Sequence, residues 1–97
     1  MSVYVITNLV IDDQVPYRNY EQAFKAMLAK APGKLLSVCD QPEAVEGQWP
    51  FTRTVLLWFP TRQAASRLYA SPEYQAIVPD RWRSTRGNVV VLDAFDH

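Results

Sequence analysis

Apolar and β-branched residues dominate the first segment, Val3-Tyr4-Val5-Ile6-Thr7-Asn8-Leu9-Val10-Ile11, which holds neither Gly nor Pro. That pattern predicts a strand. Asp12 and Asp13 break it, and Pro16 suits the first turn of a helix, where its missing N–H would lack a partner anyway. Tyr17, Tyr20, Phe24, Met27, Leu28 and Ala31 then recur at spacings of three and four. They share one helical face, with Arg18, Glu21, Gln22 and Lys25 largely outside it, until Pro32-Gly33 stops the helix.

Lys34 to Cys39 reads as a short second strand in which Leu36 and Val38 alternate with Leu35, Ser37 and Cys39. Asp40 to Phe51 is mostly loop, with Glu43-Ala44-Val45-Glu46 as a brief edge strand inside it. Arg53 to Phe59 is the third strand, closed by Pro60. Thr61 caps a second helix through Leu68 and Tyr69, with Ala64, Ala65 and Leu68 inward. Ser71-Pro72, a cap followed by proline, starts a new helical piece with Tyr74, Ile77 and Val78 inward. Pro79 is expected to kink or restart it before Arg81-Trp82. Gly87-Asn88 reads as a turn, and Val89 to Leu92 as the fourth strand, running toward Phe95.

Strand, helix, strand, strand, helix, strand is the order of an α+β, ferredoxin-like βαββαβ sandwich. Two right-handed crossovers place both helices on one face of a four-stranded antiparallel sheet. Residues 1–97 are expected to form one such domain. The other face should be wet and polar. Yet Tyr4, Ile6 and Val10 of the first strand and Thr54, Leu56 and Trp58 of the third point there, and the fourth strand is apolar on both sides. The sequence offers no spare segment to cover such a patch, so a homodimer that buries it is expected.

Ten basic residues balance ten acidic ones, which argues against a general nucleic-acid binder. The best local cluster, Arg81, Arg83 and Arg86 around Trp82, is small. No apolar run approaches the ~18 residues of a membrane span. Met1-Ser2-Val3-Tyr4 does not read as a signal peptide. Cys39 is the single cysteine, so no internal disulfide or multi-cysteine metal site can form, and a reducing cytoplasmic setting is expected.

Glu46-Gly47-Gln48-Trp49-Pro50, Arg53, Phe59-Pro60, Ala64-Ala65, Ser71-Pro72-Glu73-Tyr74-Gln75 and Arg81 together resemble the bacterial family known as domain of unknown function 1330. The resemblance covers nearly the whole chain and implies a ferredoxin-like domain that dimerises as an α+β barrel. That superfamily also holds cofactor-free monooxygenases, haem-degrading enzymes, muconolactone isomerases and chlorite-dismutase-like proteins. The family itself carries no established reaction. This chain departs from the family pattern, with Val38-Cys39-Asp40 in place of an Arg-Gly-Gly run and Trp58 in place of an acidic residue.

Few residues offer chemistry. His97 is the sole histidine and the last residue, which leaves no internal His for a triad, a haem or a metal site; no metal and no cofactor are expected. Cys39 lacks an obvious partner base and reads as a structural thiol. Arg53 shares a parity with Val55, Leu57 and Phe59, so it either binds a carboxylate or enolate at the rim of an apolar pocket or pairs with Glu46, Glu43 or Asp80. Arg81 and Tyr74 follow the same logic, and Trp58, Tyr69 and Trp82 read as core or interface anchors. The ligand-binding candidates are therefore Arg53, Tyr74, Arg81, Trp58 and Tyr69.

Three readings result. The first is a binding module for a small apolar or aromatic anion in the helix–sheet cleft. The second is a cofactor-free monooxygenase or isomerase, and the third a structural dimer.

Overall fold

The computed structural model describes residues 1–95, so His97 lies outside the described residues. Its elements are β1 (Val3–Ile11), α1 (Gln14–Leu28), β2 (Lys34–Cys39), β3 (Arg53–Phe59), α2 (Arg62–Ala70), α3 (Pro72–Trp82) and β4 (Thr85–Asp93). The strands form one sheet in the order β2-β3-β1-β4, and every neighbouring pair is antiparallel. This is the expected ferredoxin-like α+β fold.

Helix starts follow from local hydrogen bonding. The Asp13 carboxylate accepts from the Val15 N–H at 3.1 Å, so α1 begins two residues before Pro16, which still lies in its first turn. Thr61 caps α2 by accepting from the Ala64 N–H at 3.0 Å, and Ser71 caps α3 by accepting from the Tyr74 N–H at 3.1 Å. The helix then runs unbroken through Pro79 to Trp82, where a kink or restart was expected.

Three other expectations are corrected. Glu43 to Glu46 form no strand. A bulge between Leu35 and Ser37 shifts the parity of β2, so Leu35 opposite Leu57 and Val38 opposite Val55 both point toward the helices. Gly87-Asn88 is not a turn but lies inside β4, with Gly87 opposite Leu9. The chain reverses instead at Arg83-Ser84, where the buried Ser84 hydroxyl donates to the Asp80 carbonyl and the Ser84 carbonyl accepts from the Asp12 N–H at 2.7 Å. Glycine is required at 87 because a Cβ there would collide with the Asn8 carbonyl oxygen of the adjacent strand.

The core lies between sheet and helices. Val3, Val5, Leu9, Leu57 and Phe59 of the sheet pack against Tyr17, Tyr20, Phe24 and Leu28 of α1, Leu68 of α2, and Tyr74 and Val78 of α3. One layer of helix covers one face of one sheet, which makes a slab 36 × 34 × 16 Å. The opposite face carries Tyr4, Ile6, Leu56, Trp58, Val90 and Leu92, all at least partly exposed. Among the described residues, no helix is long and apolar enough to cross a membrane.

Candidate functional site

Polar atoms inside this core gather at one place. Thr7 is the polar residue among the inward positions of β1, between Val5 and Leu9, and is 8% exposed. Tyr20 comes to it from the buried face of α1, Tyr69 from the last turn of α2, and Tyr74 from the capped first turn of α3. Arg81 lies seven residues, or about two turns, beyond Tyr74. The Tyr20 and Tyr74 hydroxyls are 3.1 Å apart in a hydrogen bond. Thr7 lies near the Tyr69 phenol and slightly favours its ionised form, against the larger opposing effect of burial. The Tyr69 and Tyr74 rings meet edge to face at 4.9 Å, Tyr20 and Tyr74 at 6.2 Å. Such edge-to-face contacts fix the rings as well as pack them.

Burial pushes the phenols of Tyr17, Tyr20 and Tyr69 well above their ordinary range. For Tyr20 the neighbouring Tyr74 adds to the rise, and the positive charge of Arg81 opposes it incompletely. These tyrosines therefore stay protonated at neutral pH and act as hydrogen-bond donors rather than bases.

The two candidate arginines differ in what they face. Arg53 is occupied. Its Nη2 lies 2.9 Å from Glu21 Oε2 and its guanidinium sits 5.5 Å from the centre of the Tyr17 ring, while its Nε, 3.5 Å from Asp40 Oδ1, is buried and makes no hydrogen bond. The expected ion pair forms, but with Glu21 and Asp40 in place of Glu46, Glu43 or Asp80. Asp80 instead binds Arg83 at 2.6 Å. Arg81 has no carboxylate within ion-pair distance among the described residues. Its guanidinium lies 5.6 Å from the centre of the Tyr20 ring, and its Nε is buried with no hydrogen-bond partner.

Two hollows flank the tyrosines. On the β4 side, Tyr69, Tyr74, Arg81, Trp82, Val89 and Val91 line a groove of about 350 Å³. On the β2 side, Tyr17, Tyr20, Phe24, Leu35, Val38 and Val55 line a tighter apolar cleft of about 40 Å³. Of the five candidates, Tyr69, Tyr74 and Arg81 thus meet in one groove, while Arg53 lies away from it beside Tyr17. Trp58 does not reach the helix–sheet cleft: it pairs with Tyr4 on the opposite face, with the Lys34 ammonium 5.2 Å from its ring centre.

Sequence reasoning missed Thr7 and Tyr20 as site residues. The available signal was a polar side chain at a core parity for Thr7 and a shared helical face with Tyr17 for Tyr20. Among the described residues, no group of three or more His, Cys, Asp or Glu side chains could hold a metal ion. Cys39 lies on the helix-free face beside Thr54.

The family model described as "Domain of unknown function (DUF1330)" matches residues 2–95. No curated protein matches the chain. Among solved structures, a protein of unknown function from Rhodopseudomonas palustris superposes with a TM-score of 0.81 at 11% identity, covering 99% of this chain and 84% of that one. A protein from Jannaschia sp. CCS1, described as dimeric, ferredoxin-like and of unknown function, gives 0.71 at 17% identity, covering 97% and 100%. SnoaB, a cofactor-independent oxygenase from Streptomyces nogalater, gives 0.68 at 14% identity, covering 99% and 95%. At such identities the likeness concerns the fold.

Proposed function

The chain belongs to the DUF1330 family, and from that premise we propose that it is a homodimer that binds a small aromatic or apolar anion in the groove beneath α2 and α3. One observation carries this reading: Arg81 has a buried Nε without an acceptor and no carboxylate partner among the described residues. A buried donor left unpaired is costly, and an incoming carboxylate, enolate or phenolate supplies the missing acceptor with bidentate geometry. The aromatic and aliphatic walls suit a ring, and about 350 Å³ falls at the lower end of small-molecule sites. The neutral phenols add donors without adding negative charge.

Calorimetric titration with a panel of aromatic and alicyclic carboxylates and phenols tests the reading. Binding that is lost in Arg81→Met and kept in Arg53→Met supports it. Absence of binding at millimolar concentration, or binding indifferent to Arg81→Met, refutes it.

A second reading, a cofactor-free oxygenase or isomerase, draws on the shared fold of SnoaB and on Arg81 as a stabiliser of a developing oxyanion. Fold analogy alone is a weak warrant. Among the described residues the groove lining holds no carboxylate and no histidine, so a substrate that these residues serve would have to enter already ionised. Oxygen uptake with quinols and phenols would favour it.

Self-association is supported by the helix-free face. Strands of about eight residues at ~3.3 Å rise, four abreast at ~4.8 Å, give a flat footprint on the order of 500 Å². Side-chain relief brings its accessible area into the range that marks interaction sites. The dimeric description of the Jannaschia protein points the same way. A monomer by light scattering at micromolar concentration would refute the dimer. A cytoplasmic setting fits the lone thiol of Cys39.

A further inference from the structure

The groove beneath α2 and α3 has a cation at each of its two ends. Arg81 comes from the Thr85 end of β4, where the Arg81 carbonyl accepts from the Thr85 hydroxyl at 2.7 Å. Arg62 comes from the Asp93 end. It opens α2 just after β3 closes at Phe59, and Phe59 and Asp93 both stand opposite Val3 of β1. Both arginines line the same groove. Their surroundings differ. Arg81 Nε is buried without a partner, whereas Arg62 Nη2 lies 2.7 Å from Asp93 Oδ1, and both of those side chains are more than half exposed. The Arg62–Asp93 pair thereby bridges α2 to β4 at the mouth of the groove. Between the two ends, Val89 and Val91 of β4 line it, and the exposed Trp82 borders it. Asp93 is the next residue of their parity, so roughly 13 Å of extended strand separates Val89 from the mouth.

We propose that the mouth pair selects the far end of the ligand, so that the groove takes an aromatic carboxylate bearing a hydroxyl on the opposite side of its ring. The inference rests on the Arg81 reading above. The length of the groove accommodates a ring with a polar group at either end. An ion pair offers a donor and an acceptor side by side, and a hydroxyl is the group that matches both. It accepts from Arg62 and donates to Asp93, and so joins the pair without breaking it. A second carboxylate can only accept. It would have to displace Asp93 from Arg62 and then face a like charge. An ammonium would meet an arginine at each end of the groove. A bare ring edge would offer nothing to either member of the pair. Because the pair is exposed and holds little energy of its own, its side chains rearrange around a hydroxyl at little cost. Arg81 thus holds the charge of the ligand, and Arg62 with Asp93 reads what lies across the ring from it.

Calorimetric titration at neutral pH with benzoate, 4-hydroxybenzoate and terephthalate, and with cinnamate and 4-hydroxycinnamate for a longer reach, reads the far end. Hydrogen bonds to charged partners are strong enough that the better-fitting hydroxy acid should bind about tenfold more tightly than its unsubstituted counterpart. Terephthalate should bind no better than benzoate. In Arg62→Met the hydroxy acid should fall to within about twofold of the unsubstituted one. Asp93→Asn removes the competing carboxylate and leaves Arg62 free, so terephthalate should gain about tenfold over benzoate, a reversal that a merely structural role for the pair would not produce. Both positions are exposed, and circular dichroism checks that the variants fold. Equal affinity for hydroxylated and unsubstituted acids in both series overturns the inference and leaves Arg81 as the anion contact. So does a hydroxyl preference that survives Arg62→Met, or a terephthalate affinity unmoved by Asp93→Asn. Absence of binding by every acid, or binding indifferent to Arg81→Met, overturns the groove reading itself, an outcome distinct from those.

Discussion

Replacing Arg81 by Met is expected to stabilise the free protein while abolishing anion binding. The buried Nε lacks an acceptor, a defect worth about 1–3 kcal/mol. Met keeps most of the aliphatic stem and removes the unpaired donor. The change also removes the contact with the Tyr20 ring at 5.6 Å, worth about 1 kcal/mol. The net expectation is a gain of about 1 kcal/mol, or a rise in Tm of about 4–8 °C for a domain of this size. Arg53→Met is the control: it removes a like unpaired Nε, but with it an ion pair that Arg81 lacks. It strips Glu21 of a partner at 2.9 Å and leaves Lys25 at 3.6 Å as its remaining ion pair. Both side chains are partly exposed, so the loss is about 1 kcal/mol. Urea and thermal unfolding at one fixed protein concentration, without ligand, measure both. If Arg81→Met is destabilised as much as Arg53→Met, the Arg81 guanidinium is already satisfied in the free protein and the argument for an anion site fails.

Further outcomes follow from other parts of the fold. Gly87→Ala drives a Cβ into the Asn8 carbonyl oxygen and should cost about 3 kcal/mol or more, read as a lower urea midpoint; a neutral result would contradict the β1–β4 register. The raised folded-state values of the Tyr17, Tyr20 and Tyr69 phenols contribute stability that is fully present below about pH 10, where unfolded tyrosine keeps its proton. That contribution falls as pH rises above 10, by ~1.4 kcal/mol per unit for each tyrosine. Unfolding midpoints between pH 8 and 11 should show the decline, and phenols that all titrate near 10 in folded protein would refute it. Trp58→Glu, on the helix-free face, should halve the mass seen by light scattering and leave ligand binding in place. A monomeric variant that has lost binding would mean that the groove needs the partner.

The sequence shows the sheet and the helix faces plainly because side-chain parity and period depend on neighbours alone. Tyr17, Tyr20, Phe24 and Leu28 announce the buried stripe of α1 by spacing, and Ser71-Pro72 announces α3. Gly87-Asn88 misleads because glycine beside asparagine usually marks a reversal, whereas here glycine answers a close approach from a strand 79 positions earlier, at Asn8. The bulge at Leu36 leaves no trace in a six-residue strand, so the inward pairing of Leu35 with Val38 was hidden. The partners of Arg53 depend on how α1 lies across the sheet, which brings Glu21 within reach. The isolation of Arg81 was invisible for a related reason, since neighbouring Asp80 turns to Arg83. Trp58, by contrast, had the parity opposite to Arg53, and that parity already placed it outside the cleft.

The central claim is that Arg81 is the anion contact of a groove between helices and sheet. The side-chain Nε–H resonances of Arg81 and Arg53, followed by NMR while an aromatic carboxylate such as benzoate or naphthoate is titrated in, test it most directly. A saturable downfield shift is expected at Arg81 as its Nε–H gains an acceptor, with Arg53, held through Nη2 by Glu21, unmoved. An Arg81 resonance that ignores every carboxylate tried, or a response confined to Arg53, would contradict it.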